Sequence, residues 1–592
     1  MRHGGINFSW KSLGCLILLP LFPVVLCAQT PPAKAPSANQ KSYSDAAAAL
    51  QRGDLAAARQ SFEAAVRQNP RDPQARNALG MVMLAQNDPR AAIPQFQAAL
   101  RLKPSFDIAY INLSTALLRT GDLEGASREA NSAVRVAPHQ PDAYVALARA
   151  QEAASQISEA VGSIRRAVEL APSRSDLHDD LGTLLVRQND MSAATSEFEK
   201  ALELNSHQAS AHFHLGVVQI DSGQFASAQS HLSQATQLDP KNYLAFNFLG
   251  RAERELNNPA AAISAFQYSL KLQPAQPEIL NLLGLSWQRT GNPADAAAAF
   301  REALRLQPLN ADTQNNLGLA LLQSGDGDGA ITAFRAALQI RPDDSGYQGN
   351  LGAAYLQKSD FAAAVSEFRT AIGHDPKNQS LHYNLGLALK LQDNLSEAVA
   401  EFRTAEALDA SQPDAPYTLG VTLWQMGDAD GAVSELQKAI AAKPDYAEAF
   451  YTLGTVLKQQ SKFQESAQAL REAIRLQPDF AGAHTTLAGV LRQLGDAQGS
   501  TTEARIGADL AKQKNNLQAA VFATNSGRRL RNAGDLDAAV SQFRAAIQSF
   551  ADYAPAHFEL GIALRQTGKK EEAAAEFRKA ASLDATLVAP NP

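Results

Sequence analysis

Apolar and small positions along this chain repeat with a period longer than one helix. A leucine followed by glycine recurs at one constant step, at Gly182, Gly216, Gly250, Gly284, Gly318, Gly352, Gly386, Gly420 and Gly454. Gly80 keeps the phase, and Ala46, Ser114, Ala148 and Ala488 fill it elsewhere. After Ala488 the next anchor, Gly527, comes five positions late, and Gly561 then follows at the ordinary step. Twelve residues past each anchor stands a small residue such as Ala92, Ala194 or Ala296. Sixteen past it stands an apolar plug, often Phe: Phe62, Phe96, Phe198, Phe266, Phe300, Phe334, Phe368, Phe402, Phe543 and Phe577. Twenty-four past it comes proline, as at Pro70, Pro240 and Pro376.

Each position has a physical reading. Glycine inside a helix costs about 1 kcal/mol relative to alanine, so its recurrence predicts close approach by a neighbour. Gly-Asp or Gly-Asn pairs at Gly53, Gly121, Gly291, Gly325, Gly427 and Gly495 predict a turn after the first helix. In the second helix, Ala and Phe four residues apart share one face. Proline ends the unit because it cannot continue a helix. The pattern predicts an all-α solenoid of 16 helix-turn-helix units. It divides as a 14-repeat array over 39–514, an insertion or joint at 515–519, two further repeats over 520–587, and a tail at 588–592. Repeat 14 departs from the pattern, with Ser500, Ala504, Gly507 and Lys512 at its motif positions. Loss of the usual Phe and Pro predicts a looser unit or bend, with Lys512–Leu517 as the joint.

These motifs resemble the tetratricopeptide repeat family over about 39–587. The resemblance implies antiparallel helix pairs in a right-handed superhelix whose first helices line a concave binding face. It implies a protein-binding scaffold rather than an enzyme.

The N-terminus changes the compartment. Arg2 and Lys11 precede an apolar run, Leu13 to Leu26, and Ala28 offers a cleavage point before Gln29. Residues 1–28 are therefore expected to be a signal peptide and 29–41 a flexible linker. Export to the periplasm or outside the cell follows. Both cysteines, Cys15 and Cys27, lie in that segment. Lipidation at Cys27 is the competing idea, disfavoured by bulky Leu26 just before it.

Composition excludes other classes. Hydrophobic residues at 45% are enough for a core, so the chain is not read as disordered. A net charge of −6 gives no basic footprint for nucleic acid. No phosphate loop or Ser-His-Asp signature occurs, so no catalytic residue, metal or cofactor is assigned. Asp326 and Asp328 in GDGDG belong to a turn rather than a calcium loop, which lacks its closing Glu. His212 and His214 point to different faces of a helix and are read as packing or surface residues.

Binding chemistry is more visible. Asn316, Asn350 and Asn384 stand directly before Leu-Gly in consecutive repeats, with Asn315 and Asn281 one position earlier in theirs. An amide both donates and accepts, so such a ladder can hold a peptide backbone regardless of its sequence. It resembles the asparagine ladder in the repeats of the O-linked N-acetylglucosamine transferases, although no transferase domain is present. The opposing account is that these amides only satisfy local polar groups. Four residues past the anchors stand Lys390, Lys458, Arg492, Arg531 and Arg565, and Trp424 shares the phase. The five cations form either a basic stripe for an acidic partner segment or charges that favour the negative ends of their helices, and Trp424 is a candidate exposed anchor for a bound partner. Lys is absent three positions before every anchor, so the family's carboxylate clamp for chaperone tails is not expected. The expected partner is a protein or extended peptide, with roles in envelope assembly or secretion. A part in exopolysaccharide synthesis or export is the alternative.

Overall fold

The computed structural model describes residues 38–587 and residue 589, with side chains from residue 41. The expected signal peptide, Cys27 and most of the expected linker lie outside the described residues. Residues 38–41, expected as linker, open the first helix, Ala38–Gln51.

Among the described residues the regular elements are 31 helices. One spans two repeats, so they make 16 helical pairs. The chain divides into two compact units, Met1–Pro308 and Leu309–Pro592. Each is an α-solenoid in which one helical pair stacks on the next. No described helix is long and apolar enough to cross a membrane.

The anchor glycine works as its recurrence predicts. A Cβ added to Gly182 would lie 2.5 Å from Cε1 of Phe198, the plug of the same repeat. Gly318 stands in the same relation to Phe334, at 2.5 Å. The plugs Phe198, Phe334, Phe368 and Phe402 are fully buried. Where the small position holds serine, its hydroxyl donates across the pair, as Ser500 Oγ does to the Ala488 carbonyl at 2.8 Å. Where the anchor itself is serine, Ser114 Oγ donates the other way, to the Ala126 carbonyl at 2.9 Å.

The turns are built from two residues. One adopts a left-handed conformation, as Gly325 does at φ 83° or Asn189 at φ 66°. The next is the N-cap of the second helix. Asp326 accepts from the Gly329 amide at 2.9 Å, as Asp122 does from Gly125 at 2.8 Å. Each such cap satisfies an orphan amide of its helix. Asp326 is thus a capping residue, and Asp328 pairs with Lys358.

The expected joint is a correction. One helix, Ala497–Asn532, runs for 36 residues through 515–519. It serves as the second helix of repeat 14 and the first of repeat 15. Lys512 stands where proline stops other repeats, and AKQKNNLQAA contains neither Gly nor Pro. Nothing ends the helix, so it continues for about 54 Å at 1.5 Å per residue. The absence of Phe at Ala504 is met by a close approach nearby: a Cβ on Gly507 would lie 2.6 Å from Thr485 Oγ1 and 3.1 Å from its backbone nitrogen.

Candidate functional site: the open stripe of the first helices

In the second unit, first helices bury most of their length but leave one stripe accessible. In Gln379–Leu391 the positions Leu385, Gly386, Ala388 and Leu389 are buried, while Tyr383, Leu387 and Lys390 stay partly exposed. In Asp414–Gln425 the accessible stripe is Tyr417, Val421 and Trp424. In Ala447–Gln459 it holds Tyr451 and Thr455, with Lys458 beside them. Residues at i, i+4 and i+7 share a helix face, so each stripe is continuous. Every residue predicted for binding in this unit lies on or beside it.

The amides are brought together in part. Asn350 Nδ2 donates to Asn315 Oδ1 at 2.8 Å. Asn315, Asn316, Asn350 and Asn384 are all half-buried, whereas Asn281 is 9% exposed and lies in the first unit. Asn384 would look for its counterpart at residue 349, which is glycine and offers no side chain. Among the described residues no hydrogen bond is made by the Asn384 amide. The Asn315–Asn350 contact uses one donor of one amide and one acceptor of the other, leaving capacity on both.

The same pairing stitches neighbouring first helices elsewhere. Asn112 donates to Asn77 at 3.0 Å, His214 Nδ1 meets Asp179 at 2.8 Å, and Tyr383 Oη meets Thr418 Oγ1 at 3.3 Å. The positions just before Leu-Gly are thus where adjacent repeats exchange hydrogen bonds. Phase marks these positions as the seam between repeats, and the residue type on the next helix decides whether a pair forms.

The structure sorts the five predicted cations. Arg531 pairs with Glu559, which Arg528 also reaches at 2.7 Å. Arg565 lies 5.7 Å from the Phe577 ring centre, over its face. Lys390, Lys458 and Arg492 have no carboxylate within ion-pairing distance among the described residues. Burial without a counter-charge lowers the Lys390 ammonium from its ordinary range. Trp424 is half-buried, and its indole Nε1 donates to Gln459 Oε1 at 2.6 Å.

Histidine carried a signal that motif spacing alone did not expose. His178, His382, His484 and His557 all stand four residues before an anchor. Each sets Nδ1 against a glutamate on the second helix of its repeat, at 2.5–2.7 Å. Each sets Nε2 against a backbone carbonyl six residues back, at 2.8–3.1 Å. His212 occupies the same position but meets His231 at 3.0 Å. These are clasps between the two helices of a repeat.

The first unit carries a charged cluster on its first helices. Burial pushes the Asp180 carboxyl up to about 6, with Asp179 and Asp176 adding to the rise and Arg149, 3.9 Å away, opposing it. For His214, burial acts to lower the imidazole, but Asp179 and then Asp180 overcome it and raise it. Asp180 keeps 44% of its side-chain surface open, so solvent weakens the effect of burial as well as these charge interactions. In the folded chain Asp180 holds its proton to about 6, whereas its ordinary value is 3.8. Its contribution is therefore fully present below 3.8 and declines up to about 6. Asp180→Asn, which cannot ionise, is expected to raise the melting temperature at neutral pH. Well below 3.8 it should match the parent. Thermal melts across that range check it, and an unchanged difference at all pH values would refute it.

A tetratricopeptide repeat model matches residues 43–107, 78–131, 111–175, 217–277, 281–345, 350–415, 417–478, 451–505 and 524–587. The chain belongs to the tetratricopeptide repeat family. No curated protein sequence matches it. Among solved structures it is similar to YrrB, described as a TPR protein with an unusual peptide-binding site, at 23% identity, covering 30% of this chain and 93% of that one with a TM-score of 0.30. It is similar to the Cut9–Hcn1 hetero-tetramer of APC/C at 13% identity, covering 77% of this chain and 96% of that one with a TM-score of 0.34. Yeast Tom70 is similar at 17% identity, covering 72% of this chain and 96% of that one with a TM-score of 0.32.

Proposed function

We propose that this chain is an exported scaffold that binds proteins or extended peptides along the open stripe of its first helices, in envelope assembly or secretion. The observation that carries the reading is the Asn384 amide, half-buried beside that stripe and without a partner among the described residues. Partly buried amides with spare donors and acceptors suit a peptide backbone, which offers both kinds of group at every residue. Export rests on the charge and apolar pattern of residues 1–28. The scaffold reading, rather than an enzymatic one, rests on the helices themselves: every described helix belongs to a repeat. Its test is partner binding after Asn316, Asn350 and Asn384 become alanine. Binding should weaken while the fold persists; undiminished binding refutes the amide surface.

A further inference from the structure

Repeats 11 to 14 set three columns side by side on the stripe. The first column is aromatic, with Tyr383, Tyr417 and Tyr451 at the same position of consecutive repeats. Tyr417 packs on Tyr446 at 4.9 Å and Tyr451 on Phe480 at 4.7 Å between ring centres. The middle column shrinks step by step through Leu387, Val421, Thr455 and Gly489. Its floor therefore recedes towards repeat 14. At Gly489 the space above the backbone is reached by the neighbouring repeat's ammonium, since an added Cβ would lie 3.1 Å from Lys458 Nζ. The third column is Lys390, Trp424, Lys458 and Arg492. No carboxylate among the described residues lies within ion-pairing distance of its three cations, so their charge is uncompensated.

We infer that this three-column surface takes an extended acidic peptide segment, whose carboxylates meet Lys390, Lys458 and Arg492 and whose apolar or aromatic side chains lie over Trp424 and the tyrosines. The inference rests on the scaffold reading and names the partner's chemistry. Charge complementarity chooses the sign of the partner. The column order chooses its sequence. Packed helices lie about 8–10 Å apart, and an extended chain advances about 3.3 Å per residue. Successive repeats therefore read roughly every third residue of the segment. The order is acidic, apolar, acidic, acidic.

The test uses the full chain and a fluorescein-labelled synthetic peptide with Glu, Trp, Glu and Glu at every third residue and Ala or Pro between. Anisotropy titrations at two salt concentrations should show saturable binding that weakens with salt. Lys458→Glu with Arg492→Glu should weaken it about tenfold or more and reduce the salt dependence. Tyr417→Ala with Tyr451→Ala should weaken it too. Arg403→Glu with Arg471→Glu makes the same charge change on exposed faces of second helices and should leave binding as it was. Helicity by circular dichroism shows whether the tyrosine variant has folded, and the charge variants keep the test decisive if it has not. Absence of binding by the parent chain overturns the inference. So does equal loss in the second-helix control, which would mean attraction by net charge alone. A natural protein partner that loses affinity in the Asn316, Asn350 and Asn384 triple variant but not in the Lys458, Arg492 variant overturns this surface and leaves the scaffold reading standing.

Discussion

Phe334→Ala is expected to destabilise the second unit by about 3–5 kcal/mol, the range for truncating a fully buried aromatic side chain. Phe334 has no exposed surface, and its ring lies where a side chain on Gly318 would have to be. The glycine makes room for the ring, so removing the ring leaves a cavity that Gly318 cannot fill. Ala330 and Ala333, also buried, offer only methyl groups. In a solenoid, stability is close to a sum of repeat and interface terms, so the damage should also make unfolding less cooperative. Phe334→Leu should cost less, because Leu232, Leu436 and Leu470 hold the same position against Gly216, Gly420 and Gly454. Urea denaturation of the three proteins checks the order. Equal stability of Phe334→Ala and the parent would contradict the packing account.

The second large effect is on binding. Replacing Asn316, Asn350 and Asn384 with alanine should weaken partner binding by about 1.5–4.5 kcal/mol, taking a net 0.5–1.5 kcal/mol per hydrogen bond and adding the three. Folding should suffer less. Loss of the Asn315–Asn350 bond should cost the repeat stack about 0.5–1.5 kcal/mol, and Asn316, which also has an interaction within the fold, adds to that cost. Asn384→Ala isolates the two contributions, since its amide has no partner among the described residues. That single change should leave the melting temperature unaltered and still weaken binding. A triple variant that melts early yet binds normally once folded would make these asparagines stitches between repeats, as Asn77 and Asn112 are in the first unit.

The contrast between Phe334 and Arg531 shows what was legible in the sequence. A fixed period with Gly, Ala, Phe and Pro at constant offsets specifies which residues face the core, because helix geometry turns spacing into direction. Gly318 and Phe334 could be matched on that ground alone. Arg531 and Lys458 share a phase, so they read alike, but Glu559 on the next first helix, Ala554–Gln566, pairs with Arg531. No equivalent carboxylate among the described residues reaches Lys458. Phase places a side chain on a face; it does not show which neighbour from the next repeat neutralises it. The histidine clasps were missed for a related reason, since His382 and Glu401 stand on different helices of their repeat. At Lys512 the missing proline is plain in the sequence, and its consequence is one continuous helix rather than a joint. A stop signal that is absent lets a helix run on, and helix formers from Ala511 to Ala520 supply the continuation.

Site-specific photo-crosslinking tests most directly the claim that the first helices carry the working face. A photoreactive residue placed at Ala353 or Thr455 lies on the partly exposed stripe of a first helix. One placed at Thr370 or Arg471 lies on an exposed face of a second helix. In the native host, irradiation should give an adduct with the same protein partner from Ala353 and from Thr455, and none with that partner from Thr370 or Arg471. Adducts confined to Thr370 and Arg471, or no protein adduct from either first-helix position, would contradict the account.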